Sequence, residues 1–351
     1  MNLTGSALFD ILIENGVLTN EYQTENGLIR FAEQETNDAK RKWFTPSMEA
    51  AIASARNRTV YIPAIKPGTI TVTNTPSFTI PVSGSDTEKK SVTIYTQFTG
   101  FSYNPFDFRD NAVKENEYIV AKMREIDEAL SNDKSDTLET FMNTNRTQAL
   151  NGTANVGATT GDYNFNTGTD LLEVKLAGQR EPFFSNMKTI FKINKRLADL
   201  RYVASPEMET ILTEIMKYGM ANDKNLQNQM LPEIFYDHNI DNSVRFTGFV
   251  STKGSLAMVT NVLDEYALGE KTGDGWEFSV SDMGLSKLGS SVMALTRRVS
   301  SDNSSYGNDA TGHTSVKQEV GIIHRYGVIS SYNDDLTTKV ADKVKISGLN
   351  S

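Results

Sequence analysis

Residues able to support chemistry are few and scattered along this 351-residue chain. The absence of cysteine excludes disulfides, thiolate metal sites and thiol catalysis. The three histidines, His238, His313 and His324, show no metal-ligand spacing. His238 follows Tyr-Asp and His324 precedes Arg-Tyr, contexts that favour hydrogen-bonded structural or surface histidines. The sequence therefore predicts no metal and no cofactor.

Acidic pairs and glycine motifs give no stronger sign of an enzyme. Asp334-Asp335, or Asp107 with Asp110, could bind a cation or could simply form a solvated turn or helix cap. A P-loop-like stretch at 269–272 lacks the upstream glycine, and 284–289 has one residue too many for a nucleophile elbow. We predict that the protein is not an enzyme. A hydrolase using paired carboxylates stays open as an alternative, because a sequence does not show whether two acids converge.

Charge limits the partners that can be expected. The net charge of -9 argues against a dedicated duplex-DNA binder, although it does not exclude a protein that encloses nucleic acid. The basic cluster Lys40, Arg41 and Lys42 could face a genome or could balance the acidic residues around it. No apolar run reaches the roughly 20 residues of a membrane-spanning helix. We therefore expect no contact with a membrane.

Residues 69–103 alternate apolar and polar positions in the pattern of a long β-hairpin, with a turn-rich, charged connection over 83–90. A lone hairpin is marginal in water, so we expect its apolar side to contact a neighbouring subunit. Lysines near the predicted tip could protect a strand edge or could contact an acidic neighbour. The hypothesised inter-subunit contact residues are Phe78, Ile80, Val82, Lys89, Lys90, Val92, Ile94 and Phe98.

A long helix follows the hairpin pattern, over about 110–150. Ile119, Met123, Ile126 and Leu130 recur at spacings of four, three and four, which form one stripe of a helix. If the helix is continuous, about 40 residues give a rod of roughly 60 Å; a break near Asn132 is the alternative.

Other elements indicate an α+β protein. Residues 27–42 can form a helix, but with too few apolar positions for a core face, so we interpret 1–44 as an arm that lies on another subunit. A helix capped by Thr45 precedes a strand-like stretch, and further helices are predicted from Ser185 and after Ser205. From Arg245 onward the pattern is mostly of strands.

The order of these parts resembles a tailed-bacteriophage major capsid protein of the Hong Kong 97-type fold. The resemblance rests on the arm, the hairpin and the long helix in this order, and on two local segments, ADLRYVASPEMETIL at 198–212 and HRYGVISSYNDDL at 324–336. It covers most of the chain from about residue 28. The fold class expected is therefore α+β, a Hong Kong 97-like capsid fold with peripheral and axial domains around a spine helix.

This resemblance implies a domain organisation and a function. The divisions expected are an N-terminal arm (1–44), a connecting helix (45–58), an extended hairpin loop (59–103), a peripheral domain with the spine helix (104–180), an axial α+β domain (181–310) and C-terminal strands returning to the peripheral domain (311–351). The protein would assemble with itself as hexamers and pentamers into an icosahedral shell enclosing the viral genome, without sequence-specific DNA binding.

Partners and location follow from the same resemblance. Separate scaffolding, portal and possibly decoration proteins are expected, with the protein in the virion capsid and, before assembly, in the host cytoplasm. The lysine, asparagine and acid that cross-link some relatives cannot be placed here, so no cross-link is predicted. The main alternative is a phage tail-tube or other virion structural protein, which would be dominated by β-structure.

Overall fold

The computed structural model describes residues 3–20, 26–65, 87–108, 114–146, 150–176, 182–194, 199–210, 213, 233–240, 246–263, 275–302, 314–331 and 343–349. Helices and two sheets share these residues, which confirms the α+β class. The helices are α1 (Gly5–Glu14), α2 (Gly27–Lys42), α3 (Pro46–Ala53), α4 (Glu115–Thr144) and α5 (Phe183–Ile193). The strands are β1 (Leu18–Thr19), β2 (Thr59–Ile65), β3 (Thr87–Tyr103), β4 (Tyr163–Asn166), β5 (Leu171–Lys175), β6 (Leu200–Ala204), β7 (Glu233–Tyr236), β8 (Thr247–Thr252), β9 (Leu256–Thr260), β10 (Glu277–Leu285), β11 (Ser291–Asp302), β12 (Thr314–Ser330) and β13 (Lys343–Leu349).

The first sheet has seven strands in the order β1-β10-β11-β12-β3-β2, with β9 also paired to β12. Its pairs are antiparallel, and alternate residues of β12 such as Val320 and Ile322 are buried on the side of α4. There they pack with the predicted stripe of α4, which is buried from Ile119 to Leu130, and with α1. The predicted apolar face of the long helix is therefore confirmed.

The second sheet has six strands in the order β4-β5-β13-β8-β6-β7 and is mixed, because β13 runs parallel to β5, and β6 runs parallel to β7. Tyr163, Leu172 and Val174 of its first hairpin are fully buried against α5, which contributes Met187 and Phe191. The stretch 152–168, which is rich in glycine and other turn-forming residues, thus contains a core strand.

The long helix is continuous over the 30 residues of α4, about 45 Å at 1.5 Å per residue. The alternative of a break near Asn132 is wrong. The polar segment around it stays helical because its inward side chains find partners: Lys134 and Ser135 are fully buried and hydrogen-bonded.

The expectation that residues 27–42 have too few apolar positions for a core face is wrong, whereas contact of the 1–44 arm with another subunit stays a prediction. Leu28, Ile29, Phe31 and Ala32 of α2 are at most 1% exposed and pack within their own chain. Because the helix is packed on several elements at once, it needs fewer apolar residues than a helix with a single long contact face. Gly27 at its first turn lets it approach the backbone of β7 closely.

The hairpin differs from its predicted register. β2 pairs with β3 from Thr59↔Thr93 to Ile65↔Thr87, so Lys89 and Lys90 lie within a strand and not in the connection at the tip. Residues 59–65 alternate as well as 69–82 do, and the period of two therefore did not decide which segment pairs. The apolar positions Ile70 to Val82 lie outside the described residues.

The two sheets divide the chain differently from the expected domain boundaries. β10 and β11, expected in the axial domain, belong to the seven-stranded sheet with β12, and β13 belongs to the six-stranded sheet with β5 and β8. The division into a peripheral domain (104–180), an axial domain (181–310) and C-terminal strands returning to the peripheral domain (311–351) stays a prediction.

Candidate assembly surface and the polar network behind it

A two-stranded ribbon projects from the seven-stranded sheet. β3 pairs with β12 from Ile94 to Tyr103, whereas its first seven residues, 87–93, pair with β2. At about 3.4 Å per residue the ribbon extends roughly 20 Å beyond the last pair with β12. The side chains of residues 59–65 and 87–93 are therefore held in place by this pairing.

The inner face of the ribbon is covered by its own chain. Ile62, Val92 and Ile94 are at most 3% exposed and pack against Ile52 of α3 and Ile329 of β12. The expectation that this apolar side needs a second subunit is therefore wrong for Val92 and Ile94, because α3 folds beneath the ribbon. Lys90 also turns inward, since its Nζ donates to the carbonyl oxygen of Ser330 at 2.8 Å.

Two large aromatic side chains remain in water, on opposite faces of the sheet. Phe98 shares its face with Val92 and Ile94, whereas Tyr61, which is paired with Ser91, lies on the other face. Tyr61 on β2 and Phe98 on β3 are each 67% exposed. Phe98 lies beside Gly321 of β12, where an added Cβ would be 3.0 Å from the Phe98 ring. Gly321 in turn is paired with Gly100, so no side chain from these two positions covers the ring. Lys89 is exposed on the ribbon. Contact of Phe98 and Lys89 with a neighbouring subunit stays a prediction, and Phe78, Ile80 and Val82 lie outside the described residues.

The basic cluster is exposed at the C-terminal end of α2, where cations complement the helix dipole. Lys40 Nζ lies 2.6 Å from Glu49 Oε1, and Lys42 Nζ donates to the carbonyl oxygen of Lys253. Two of the three side chains thus have intramolecular partners, which fits the charge-balancing interpretation. Contact with a genome stays a prediction.

Of the candidate chemical residues, the structure describes three. His238 is exposed and His324 is buried, while Asp107 is exposed; His313, Asp110, Asp334 and Asp335 lie outside the described residues. Within the described ranges no group of three or more His, Asp or Glu side chains could hold a metal ion. No helix in this same part of the chain is long and apolar enough for a membrane crossing.

A buried ionic network, which the sequence analysis missed, ties α2 to both sheets. Arg201 of β6 is 2% exposed and its guanidinium contacts Glu35 at 2.5 Å, Asp38 at 2.9 Å and Glu233 at 2.6 Å. Glu35 is fully buried and also accepts from the Ser255 N–H at 2.7 Å. Burial raises the pKa of Glu35, and the charge of Arg201 and the hydrogen bonds oppose this increase. The sequence did contain a sign of this buried charge, because Glu35 lies on the same face of α2 as the apolar residues Leu28, Ala32 and Ala39.

Two further buried carboxylates fix α4. Asp127 accepts from the backbone N–H groups of Lys287 and Leu288, each at 2.9 Å, in the turn between β10 and β11. Asp237 accepts from the Leu28 N–H at 2.8 Å and from the Ser135 hydroxyl at 2.9 Å, so one carboxylate joins the start of α2 to the middle of α4. These acids hold the frame from which the ribbon projects.

Comparison with known proteins gives similarity at the level of structure. No family model matches the sequence, and no curated protein matches it either. A solved structure described as "Mycobacterium phage Che8" is similar over 83% of this chain and 85% of that chain, with 11% identity and a TM-score of 0.45. Another, described as "Capsid structure of the Cyanophage P-SCSP1u", shares 10% identity over 85% of each chain, with a TM-score of 0.45.

A third solved structure, described as "Asymmetric unit of bacteriophage PhiM1 mature capsid", is similar over 85% of this chain and 84% of that one, with 10% identity and a TM-score of 0.44. Phage structures, two of them described as capsids, are thus among the solved structures to which this chain is similar, as the sequence analysis predicted. At these scores and identities the similarity by itself assigns no function to the chain.

Proposed function

We propose that this protein is a virion coat subunit that assembles with itself, as hexamers and pentamers, into a closed shell around the viral DNA. The observations that carry the proposal are two large exposed aromatic side chains: Tyr61 on the ribbon, whose Ile62 and Val92 pack on their own chain, and Phe98 on the stretch of β3 that pairs with β12. A ribbon fixed in this way can reach a neighbouring subunit without losing its own packing.

The exposed area of Phe98 sets the size of the contribution that such a contact makes. An aromatic side chain has roughly 200 Å² of surface, so burying the exposed two-thirds of Phe98 removes roughly 130 Å² from water. At about 25 cal/mol per Å² this contributes about 3 kcal/mol at each copy of the contact. Head-to-tail contacts related by rotation close into rings, and many individually weak contacts then stabilise a closed shell.

Charge supplies the opposing force. With a net charge of -9, copies repel one another at low salt, which restrains association before the specific contacts form. Shell formation should therefore become more favourable as ionic strength rises from about 0.01 M to 0.15 M, where the Debye length falls from about 30 Å to about 8 Å. Separate scaffolding, portal and decoration proteins remain part of the proposal, as does a position in the virion capsid reached from the host cytoplasm.

The test compares two exposed positions. Phe98→Asp should leave the folded subunit intact, with an unchanged unfolding midpoint, and should abolish shells seen by negative-stain electron microscopy after co-expression with the phage's scaffolding protein. Ile13→Asp is the matched control, because Ile13 of α1 is also a partly exposed apolar side chain, 42% exposed, away from the ribbon. Normal shells from Phe98→Asp would contradict the role of the exposed Phe98 surface, and tubes from the unmodified protein would favour a tail-tube subunit.

A further inference from the structure

A fully buried polar cluster lies between α4 and the seven-stranded sheet. Lys134 of α4 and His324 of β12 are both 0% exposed, and Gln97 of β3 is 7% exposed. Two side chains that can carry positive charge therefore share the sealed interface that holds the long helix on its sheet. The ionic and carboxylate contacts described above do not include them.

The hydrogen bonds of Gln97 fix the proton on the histidine. The Gln97 side-chain N–H₂ donates to the carbonyl oxygen of Leu130 at 3.1 Å and to Asp133 Oδ2 at 2.6 Å. Its oxygen therefore faces His324 Nδ1, 2.8 Å away, and must accept from it. His324 consequently carries its proton on Nδ1, while Nε2 is a buried acceptor with no hydrogen-bond partner among the residues that the structure describes.

Lys134 lies close to the same ring system. Its Nζ donates to the carbonyl oxygen of Leu288 at 3.2 Å and to the Ser290 hydroxyl at 2.9 Å. It also lies 5.6 Å from the centre of the Tyr326 ring, on which His324 stacks at 5.1 Å. Neither partner of Lys134 carries a charge, so its ammonium is solvated by neutral oxygens and by an aromatic face.

The charged and titratable groups facing the cluster come from three further positions. Asp133 of α4 binds Gln97, Glu33 of α2 interacts electrostatically with Lys134, and Tyr95 of β3 stacks on Tyr326. Burial lowers the pKa of Lys134 to about 8, with Glu33 opposing. Burial, followed by the charge of Lys134, lowers the pKa of His324 well below its usual value.

We propose that Gln97, Lys134 and His324 form an acid-sensitive latch, which releases α4 from the seven-stranded sheet when His324 takes up a second proton. Protonation at Nε2 would place two cations in one sealed interface and would create an N–H without an acceptor. Separating α4 from the sheet admits water to both groups and relieves both penalties.

The direction of the pH effect follows from linkage. The pKa of His324 is lower in the closed interface than in the open one, so the open form binds the proton more strongly. The contribution of neutral His324 to the stability of the closed interface is present at pH values above the ordinary histidine pKa of 6.5 and is lost as the pH falls below 6.5. Burial of Lys134 changes the stability of the closed interface over a higher pH range, between 10.5 and about 8. Below this range Lys134 is charged in both forms, and its cost to the stability of the closed form no longer depends on pH.

Hydrogen–deuterium exchange of the unassembled subunit tests the latch between pH 7.5 and pH 4.5, with intrinsic exchange rates corrected for pH. We expect the protection of the α4 amides to fall at least tenfold more than that of the α5 amides, which pack on the other sheet. His324→Gln should remove this excess loss, because glutamine does not titrate. His238→Gln, at an exposed histidine, is the control and should behave like the unmodified protein.

Lys134→Met provides a second variant if His324→Gln does not fold. Removing the neighbouring cation should bring the pKa of His324 in the closed interface nearer to its value in the open one, and should therefore make the excess loss of α4 protection smaller. The latch is wrong if α4 and α5 lose protection together, if His324→Gln retains the excess loss in α4, or if Lys134→Met leaves the size of this excess loss unchanged. The proposal does not depend on shell formation, since every measurement is made on the single subunit.

Discussion

Replacing Arg201 by methionine tests the network that holds α2 between the sheets. The guanidinium is 2% exposed and contacts three carboxylates, of which Glu35 is fully buried, whereas Asp38 and Glu233 have side chains 23% and 50% exposed. Asp38 and Glu233 can turn toward water when Arg201 is removed. Glu35 cannot, so the cost falls mainly on this one carboxylate.

Removing one partner of a buried ion pair costs about 3–5 kcal/mol, because the other charge stays buried without compensation. We expect Arg201→Met to lower the free energy of unfolding by this amount, measured by urea titration of the unassembled subunit at constant m-value. The double variant Arg201→Met with Glu35→Gln should recover most of the loss, since a neutral amide oxygen can still accept from Ser255.

The pH dependence provides an independent check. Burial raises the pKa of Glu35 and Arg201 opposes the increase, so Arg201→Met should raise it further. A carboxyl with a raised folded pKa is favourable below its unfolded value of 4.5 and unfavourable as the pH rises through the folded value. The deficit of Arg201→Met should therefore be larger at pH 8 than at pH 5.

An exposed pair of similar length is the control. Lys40 and Glu49 are 2.6 Å apart but have side chains 42% and 38% exposed, and Lys40→Met should cost less than about 1 kcal/mol. The reasoning is refuted if Arg201→Met costs no more than Lys40→Met, or if Glu35→Gln does not restore stability in the double variant.

Two further predictions concern the frame around the long helix. Asp127→Ala leaves two backbone N–H groups of the turn after β10 without their acceptor, at about 1–3 kcal/mol each. Urea titration should therefore show a loss of about 2–6 kcal/mol, against at most about 0.5 kcal/mol for exposed Glu125→Ala. Gly27→Ala places a Cβ 2.1 Å from the carbonyl oxygen of Tyr236, so α2 must move, and the free energy of unfolding should fall by about 1–3 kcal/mol. In the control Gly168→Ala, the added Cβ meets one side-chain oxygen at 3.3 Å, and the unfolding midpoint should change little. Equal effects of the two glycine variants would contradict the close approach of α2 to β7.

Local patterns were sufficient where an element depends on neighbours along the chain. Thr45 caps α3 as predicted, since its hydroxyl oxygen accepts from the Met48 N–H at 3.4 Å. The helix after Ser205 begins at the predicted place, although the hydroxyl of Ser205 has no partner and its carbonyl oxygen accepts the first helical bonds. The prediction of a structural role for His324 is confirmed by its burial and its bond to Gln97.

The sequence by itself determined which residues prefer a helix or a strand and which faces are apolar, because these properties repeat at fixed short intervals. It could not determine what covers each face. Glu35 and Arg201 are 166 positions apart, and only the folded chain brings them together. Equally, the sequence did not determine that β2 pairs with the first part of β3, because alternation of apolar and polar residues at every second position fits pairing with more than one strand. The tertiary structure therefore decided that α2 and the inner face of the ribbon are packed on their own chain, and that Phe98 remains in water.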